Sequence, residues 1–191
     1  MNPDRIATIL DTRHDSLAWA KESHSVVKYN PIYFCSNGLY QKQEWTSMWD
    51  IGKTFDGYVF SREEYLQMET RYVNTALKIL EASGCKYLTI FYYKGFYNSL
   101  ESLRESPLMD DDIYLFKRAG YFESGSRISL NRVDPLLRLN LRDWSTFFFL
   151  NIKNNVQLDI GYDYYMHIHA PLPVNEMKKL VSNEGLFLDP W

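Results

Sequence analysis

Residues 61–83, SREEYLQMETRYVNTALKILEAS, followed after Gly84-Cys85-Lys86 by YLTIFYY at 87–93, carry the reading on which the fold turns. Ser61 with Glu64 three positions on forms a capping box, in which each side chain satisfies an orphan backbone N–H at a helix start. Tyr65, Met68, Tyr72, Ala76 and Ile79 recur at three- and four-residue steps. Leu66, Val73, Leu77 and Leu80 widen that stripe, so the spacing predicts a helix packed deeply against a sheet. Gly84 stands where a left-handed residue closes a helix. The following YLTIFYY, rich in β-branched and aromatic residues, predicts a strand.

Beyond this pair the rhythm changes to period two. Leu137, Leu139 and Leu141 alternate with Arg138, Asn140 and Arg142, and further strands are predicted over 146–152, 156–160 and 162–169. Asn154-Asn155 and Gly161 supply the turns. Strands so closely connected form an antiparallel meander with one face free to stay wet. Asn175 can cap a short helix to about Ser182, Gly185 ends it, and residues 186–188 can add an edge strand. The fold class expected is therefore α+β, with helices concentrated in the N-terminal half packed on a C-terminal antiparallel β-meander. Earlier segments are less legible. Asp15 can cap a helix over 16–22, residues 32–35 can form a strand, and Thr46 or Ser47 can start a short helix ending near Gly52. The stretch 95–130 is open between helix, loop and strand.

At 191 residues, without internal repeat, low-complexity tract or Gly/Ser linker, the chain reads as a single α+β domain over 1–191. A domain of that size buries about 70% of its unfolded surface and needs no disulfide or metal to fold. Cys35 and Cys85 look like small buried hydrophobes rather than a bridge or half a metal site. The first residues, MNPDR, show no signal-peptide core, and no apolar run approaches the ~20 residues of a membrane span. A reducing cytoplasm is the expected location.

Net charge is −3, so a general nucleic-acid binder is not expected. Local charge is uneven. Residues 44–69 hold Glu44, Asp50, Asp56, Glu63, Glu64 and Glu69 against Lys53 and Arg62, a balance of −4. Residues 126–153 hold Arg127, Arg132, Arg138, Arg142 and Lys153 against Asp134 and Asp143, a balance of +3. Such asymmetry can steer a charged partner, although solvated faces produce it too. The chain also carries 15 Tyr, 11 Phe and 5 Trp. Filling an α+β core is the simplest role for most of them, and Tyr and Trp also suit interfaces.

The sequence contains no G-x-G-x-x-G, Walker loop, G-x-S-x-G elbow, CxxC, HExxH or EF-hand loop. One constellation remains. Alternation directs Leu137, Leu139, Leu141, Phe148, Leu150, Ile152, Val156, Leu158, Ile160, Tyr164, Met166 and Ile168 to the core. The opposite face would carry Arg138, Asn140, Arg142, Gln157, Asp159, Asp163, Tyr165, His167 and His169. His167 and His169 could share a metal only with a third ligand such as Asp159 or Asp163. As an enzyme, the face would use His as base and Arg as anion stabiliser, which suits phosphodiesterase or nucleotide chemistry. A polar outer face with Arg–Asp pairs explains the same residues and is the preferred reading, so no catalytic residue, cofactor or metal is expected. His14 and His24 have no partner spacing, and Asp110–Asp112 suits a solvated turn or helix start.

WDIGKTFDG at 49–57, followed by Glu63-Glu64-Tyr65-Leu66 and Glu69, forms one distinctive stretch. A second runs from Arg142-Asp143-Trp144 to GYDYYMHI at 161–168 and closes on Gly185-Leu186-Phe187. Together they resemble small bacterial cytoplasmic immunity proteins of the polymorphic toxin and contact-dependent growth inhibition systems. The resemblance covers about half the chain and offers no catalytic residue to carry over. It implies a non-enzymatic, stoichiometric inhibitor that occludes the active site of a cognate toxin C-terminal domain, frequently a basic nuclease, with no direct nucleic-acid or membrane partner. On that expectation the contact residues are Glu44, Trp45, Asp50, Asp56, Tyr58, Glu63 and Glu64, with Trp49 divided between anchor and core.

Overall fold

The computed structural model describes residues 23–95 and 100–189. Its strands are β1 (His24–Val27), β2 (Thr54–Phe55), β3 (Tyr58–Val59), β4 (Tyr87–Gly95), β5 (Arg127–Ser129), β6 (Ser145–Asn151), β7 (Val156–Ile160), β8 (Met166–His169) and β9 (Phe187–Leu188). The α-helices are α1 (Arg62–Ala82), α2 (Leu100–Arg104), α3 (Met109–Ala119), α4 (Val133–Leu141) and α5 (Val174–Asn183). Seven strands make an antiparallel sheet in the order β5-β4-β6-β7-β8-β1-β9, and β2 and β3 form a separate hairpin. The protein is an α+β structure. Its longest helix lies in the N-terminal half as expected, while α4 and α5 stand among the C-terminal strands.

The α1–β4 pair forms as its sequence dictates. Glu64 N–H donates to Ser61 Oγ at 3.2 Å, and Ser61 N–H donates to the Glu64 carboxylate at 2.9 Å. The helix buries Tyr65, Tyr72, Val73, Ala76, Ile79 and Leu80, which join Ile90, Phe149, Leu158 and Ile168 of the sheet in one core cluster. Gly84 (φ 68°) then reverses the chain, and Cys85 N–H donates back to Leu80 O at 2.9 Å. Cys85 is buried and Cys35 is not, and both are free thiols.

Two expectations are corrected. Residues 136–141, expected as a strand with Leu137, Leu139 and Leu141 alternating, belong to helix α4. Six residues of LLRLNL satisfy both periods. Val133 upstream extends the helical one as i, i+3, i+4, i+7, i+8 through Leu136, Leu137, Asn140 and Leu141. Asp134 and Pro135 also suit a first helical turn. Arg138, Asn140 and Arg142 therefore leave the sheet face altogether.

Strand β6 is the second correction. Phe147, Phe149 and Asn151 point to the core, while Phe148 and Leu150 are half-exposed and Ile152 is 76% exposed. Three consecutive phenylalanines fit either face, and a one-residue slip turns every side chain over. Neighbouring strands decide the matter: Phe149 lies opposite Ile90 on β4 and Leu158 on β7.

Other segments differ in detail. Only Met166–His169 of 162–169 is strand, because Asp163 (φ 55°) and Tyr164 (φ 62°) turn left-handed inside the short helical turn Tyr162–Tyr164. Residues 31–33 form a helical turn rather than a strand. Met48–Asp50 forms the short helix expected near Ser47, with Ser47 and Asp50 in a capping box. The 95–130 stretch contains α2, α3 and β5. The helix expected over 16–22, and His14, lie outside the described residues. Among those described, no helix is long and apolar enough to cross a membrane.

Candidate functional site

The residues expected to meet a partner divide into those the fold has used and those it presents. Glu44 accepts from Lys28 Nζ at 3.0 Å and from the Tyr40 hydroxyl at 2.5 Å. Asp50 accepts from Lys53 Nζ at 2.7 Å and from the backbone N–H of Thr46 at 2.8 Å. Burial alone would raise the Asp50 carboxyl, but Lys53 and these backbone donors hold it below the ordinary range. Trp45 is 6% exposed, stacked 4.4 Å from the Phe60 ring and covered by Lys28 Nζ at 4.3 Å. It is a core residue, which corrects its assignment as a surface anchor. Trp49 is half-buried and packs edge-on against Trp144.

Asp56, Tyr58, Glu63 and Glu64 remain outside. The β2–β3 hairpin and the start of α1 bring Asp56, Tyr58 and Glu64 near one another, with Glu63 next to Glu64 in the first turn of α1. Asp56 (φ 47°) and Gly57 (φ 85°) both adopt the left-handed conformation, as an Asp-Gly two-residue hairpin turn requires. Phe55 anchors the hairpin edge-on against buried Phe60. Tyr58 and Val59 are left 44% and 62% exposed. Burial and the nearby Glu64, Glu44 and Asp56 raise the Tyr58 phenol, so it stays a neutral hydrogen-bonding group beside carboxylates. The sequence signal for this hairpin is the Asp-Gly pair inside TFDGYV at 54–59.

Much of the charge asymmetry along the chain cancels in space. Arg142 grips Glu69 with Nε at 2.5 Å and Nη2 at 2.9 Å, and its Nη1 reaches Asp112 at 2.8 Å. Arg138 Nη1 reaches Glu69 at 2.6 Å and its Nε reaches Asp134 at 3.2 Å. Glu69 and Asp112 are fully buried, and Arg142 nearly so. Burial pushes the Asp112 carboxyl up against the pull of Arg142 and Ser106. An acid of the −4 segment and two bases of the +3 segment thus form one ion network joining α1, α3 and α4.

The outer sheet face loses both of its expected anion stabilisers to that network. What remains is Gln157, Asp159, Tyr165, His167 and His169, with His169 6% exposed and its Nε2 3.0 Å from Asn155 Nδ2. Asp159 lies opposite His167 across β7 and β8, and Ser25 on β1 lies opposite His167 on its other side. Burial raises the Asp159 carboxyl, and the neighbouring His167 opposes that rise. Among the described residues no three His, Cys, Asp or Glu side chains gather to hold a metal ion. A small polar cleft also lies between Thr46, Asn140, Asp143, Gly161 and Asp163. Comparison with family models, curated proteins and solved structures gives no match to the chain.

Proposed function

We propose that the protein is a binding inhibitor of the immunity type, which occludes a basic toxin domain and acts in the cytoplasm of the cell it protects. The observation that supports this reading is the hairpin face. Tyr58 and Val59 are exposed, Tyr58 lies near Asp56 and Glu64, Glu63 lies in the same helical turn as Glu64, and Phe55 packs on Phe60 beneath the hairpin. A rigid carboxylate-lined edge with an aromatic tip complements the positive cleft a nuclease needs to hold phosphates. Tyrosine supplies a large anchor at low conformational cost. The resemblance to immunity proteins at 49–57, 63–66 and Glu69 includes Asp56, Glu63 and Glu64 of this face. Glu44 and Asp50 act here through the fold, shaping the loop beneath the hairpin, and Trp45 acts only as packing.

The test is co-expression with the C-terminal domain of a large toxin encoded directly upstream. Protection of the cells and a one-to-one complex on co-purification are expected. Association should slow as salt is added, because charges at a contact rim act mainly on encounter. Unprotected cells and no complex would remove this reading.

A further inference from the structure

Ser25, His167 and Asp159 stand in one row across three neighbouring strands, β1, β8 and β7, on a single face of the sheet. Ser25 Oγ lies 3.0 Å from His167 Nδ1. The strand on the other side of the imidazole carries Asp159 in register with His167, and the imidazole opposes the rise that burial imposes on the Asp159 carboxyl. Tyr165 stacks toward the imidazole at 6.5 Å between ring centroids. A Cβ built at Gly161 would stand 3.3 Å from His167 Nε2, so a residue without a side chain leaves the ring its place. A hydroxyl held against an imidazole, with a carboxylate interacting with that imidazole electrostatically from the next strand, is an arrangement that can activate a nucleophile.

We propose that Ser25 is an activated nucleophile toward small esters and related acyl or phosphonyl donors, with His167 as its general base and Asp159 as the positioning residue. The site is separate from the hairpin face and independent of the inhibitor reading. With His167 neutral and protonated at Nε2, Nδ1 is free to accept the hydroxyl proton. The Ser25 Oγ electron pair attacks the acyl carbon and its proton passes to Nδ1. The bond to the leaving alkoxide then breaks, and the imidazolium returns the proton to that oxygen. The product is an acyl-Ser25 ester, which water can hydrolyse by the same exchange in reverse. Strand pairing sets the Ser25–His167 contact, so it needs no loop closure, and the same pairing places Asp159 on the neighbouring strand.

The purified full chain should be treated with an alkyl fluorophosphonate and, separately, with p-nitrophenyl acetate. The expected result is one adduct per chain, mapped by peptide mass to Ser25, with release of fluoride or nitrophenolate. Ser25→Ala should abolish it, and His167→Gln should slow it about 100-fold, as loss of a positioned general base does. Asp159→Asn should slow it by about 10-fold and Asp159→Glu should recover part of the rate, which a purely structural role would not produce. No adduct, an adduct mapped elsewhere, or an unchanged rate in a folded His167→Gln protein overturns the proposal. The mapping on the unaltered chain decides the site even where a variant does not fold.

Discussion

Glu69 and Glu63 lie six residues apart on α1, yet their carboxylates have opposite fates. Glu69 is fully buried between Arg138 and Arg142, whereas the Glu63 side chain is 73% exposed, with Arg62 no closer than 4.0 Å. Six residues along a helix is about 600° of rotation, so the two side chains leave it on different faces. One face meets α4 and the other meets water. A charge count along the chain treats them alike. The lesson is that local charge balance describes a surface only after buried partners have been subtracted.

Breaking the buried side of this comparison should have the largest effect. Arg142→Ala leaves Glu69 and Asp112 without their main partner, and a loss of about 3–5 kcal/mol is expected in urea unfolding. A loss under about 1 kcal/mol would mean that water solvates those carboxylates. Replacing Glu69, Asp112 and Arg142 together with apolar residues of similar size should cost less than Arg142→Ala alone. That outcome would assign the network a role in alignment rather than in net stability.

Leu158→Ala tests the apolar core against which the network is set. Leu158 is 0% exposed, and truncation should cost about 2–5 kcal/mol by the same measurement. An effect below about half a kcal/mol would place the inward face of β7 on the wrong side. Ser61→Ala removes the cap that begins α1 just before the exposed acids, and about 1 kcal/mol is expected.

Asp50 offers a comparison by pH. Its folded carboxyl titrates below the ordinary value of about 3.9, so its contribution is present above that value and disappears as pH falls through the folded pKa. In acid unfolding, Asp50→Asn should therefore flatten the stability curve below about pH 5. An unchanged curve would separate Asp50 from acid sensitivity. Glu63→Lys with Glu64→Lys should have the smallest effect on folding. A change at Glu63 should stay within about 0.5 kcal/mol, while loss of the Glu64 capping contact adds a few tenths more. The same pair should slow association with the cognate toxin and reduce its salt dependence. If Asp56→Lys added to them leaves both unchanged, the hairpin face is not where the partner meets the chain.

The sequence disclosed α1, β4, β7 and much of the C-terminal sheet because each carries one period and a clear stop. Ser61, Glu64 and Gly84 mark ends that need no knowledge of the rest of the fold. It misled where two periods coincide, at residues 136–141, and where the run Phe147-Phe148-Phe149 has no period at all. There the outcome depends on Val133 upstream, or on Ile90 and Leu158 from other strands. The site residues were legible to the same degree. Asp56, Tyr58, Glu63 and Glu64 are exposed as local reading suggests. Burial of Trp45 depends on Phe60 and Lys28, and neutralisation of Glu44 depends on Lys28 and Tyr40. Ser25 gave no signal, because its relation to His167 spans 142 positions and exists only through strand pairing.

The borders of the sheet have a consequence for the protein in crowded solution. Among the described residues it is bounded by β5, three residues long, and β9, two residues long. An open sheet of seven strands offers free hydrogen-bonding rows along which further copies can add. The β5 and β9 rows are too brief to template a stable added strand, although β4 runs on past β5. Edge-to-edge growth through β5 or β9 is thereby disfavoured in the native state.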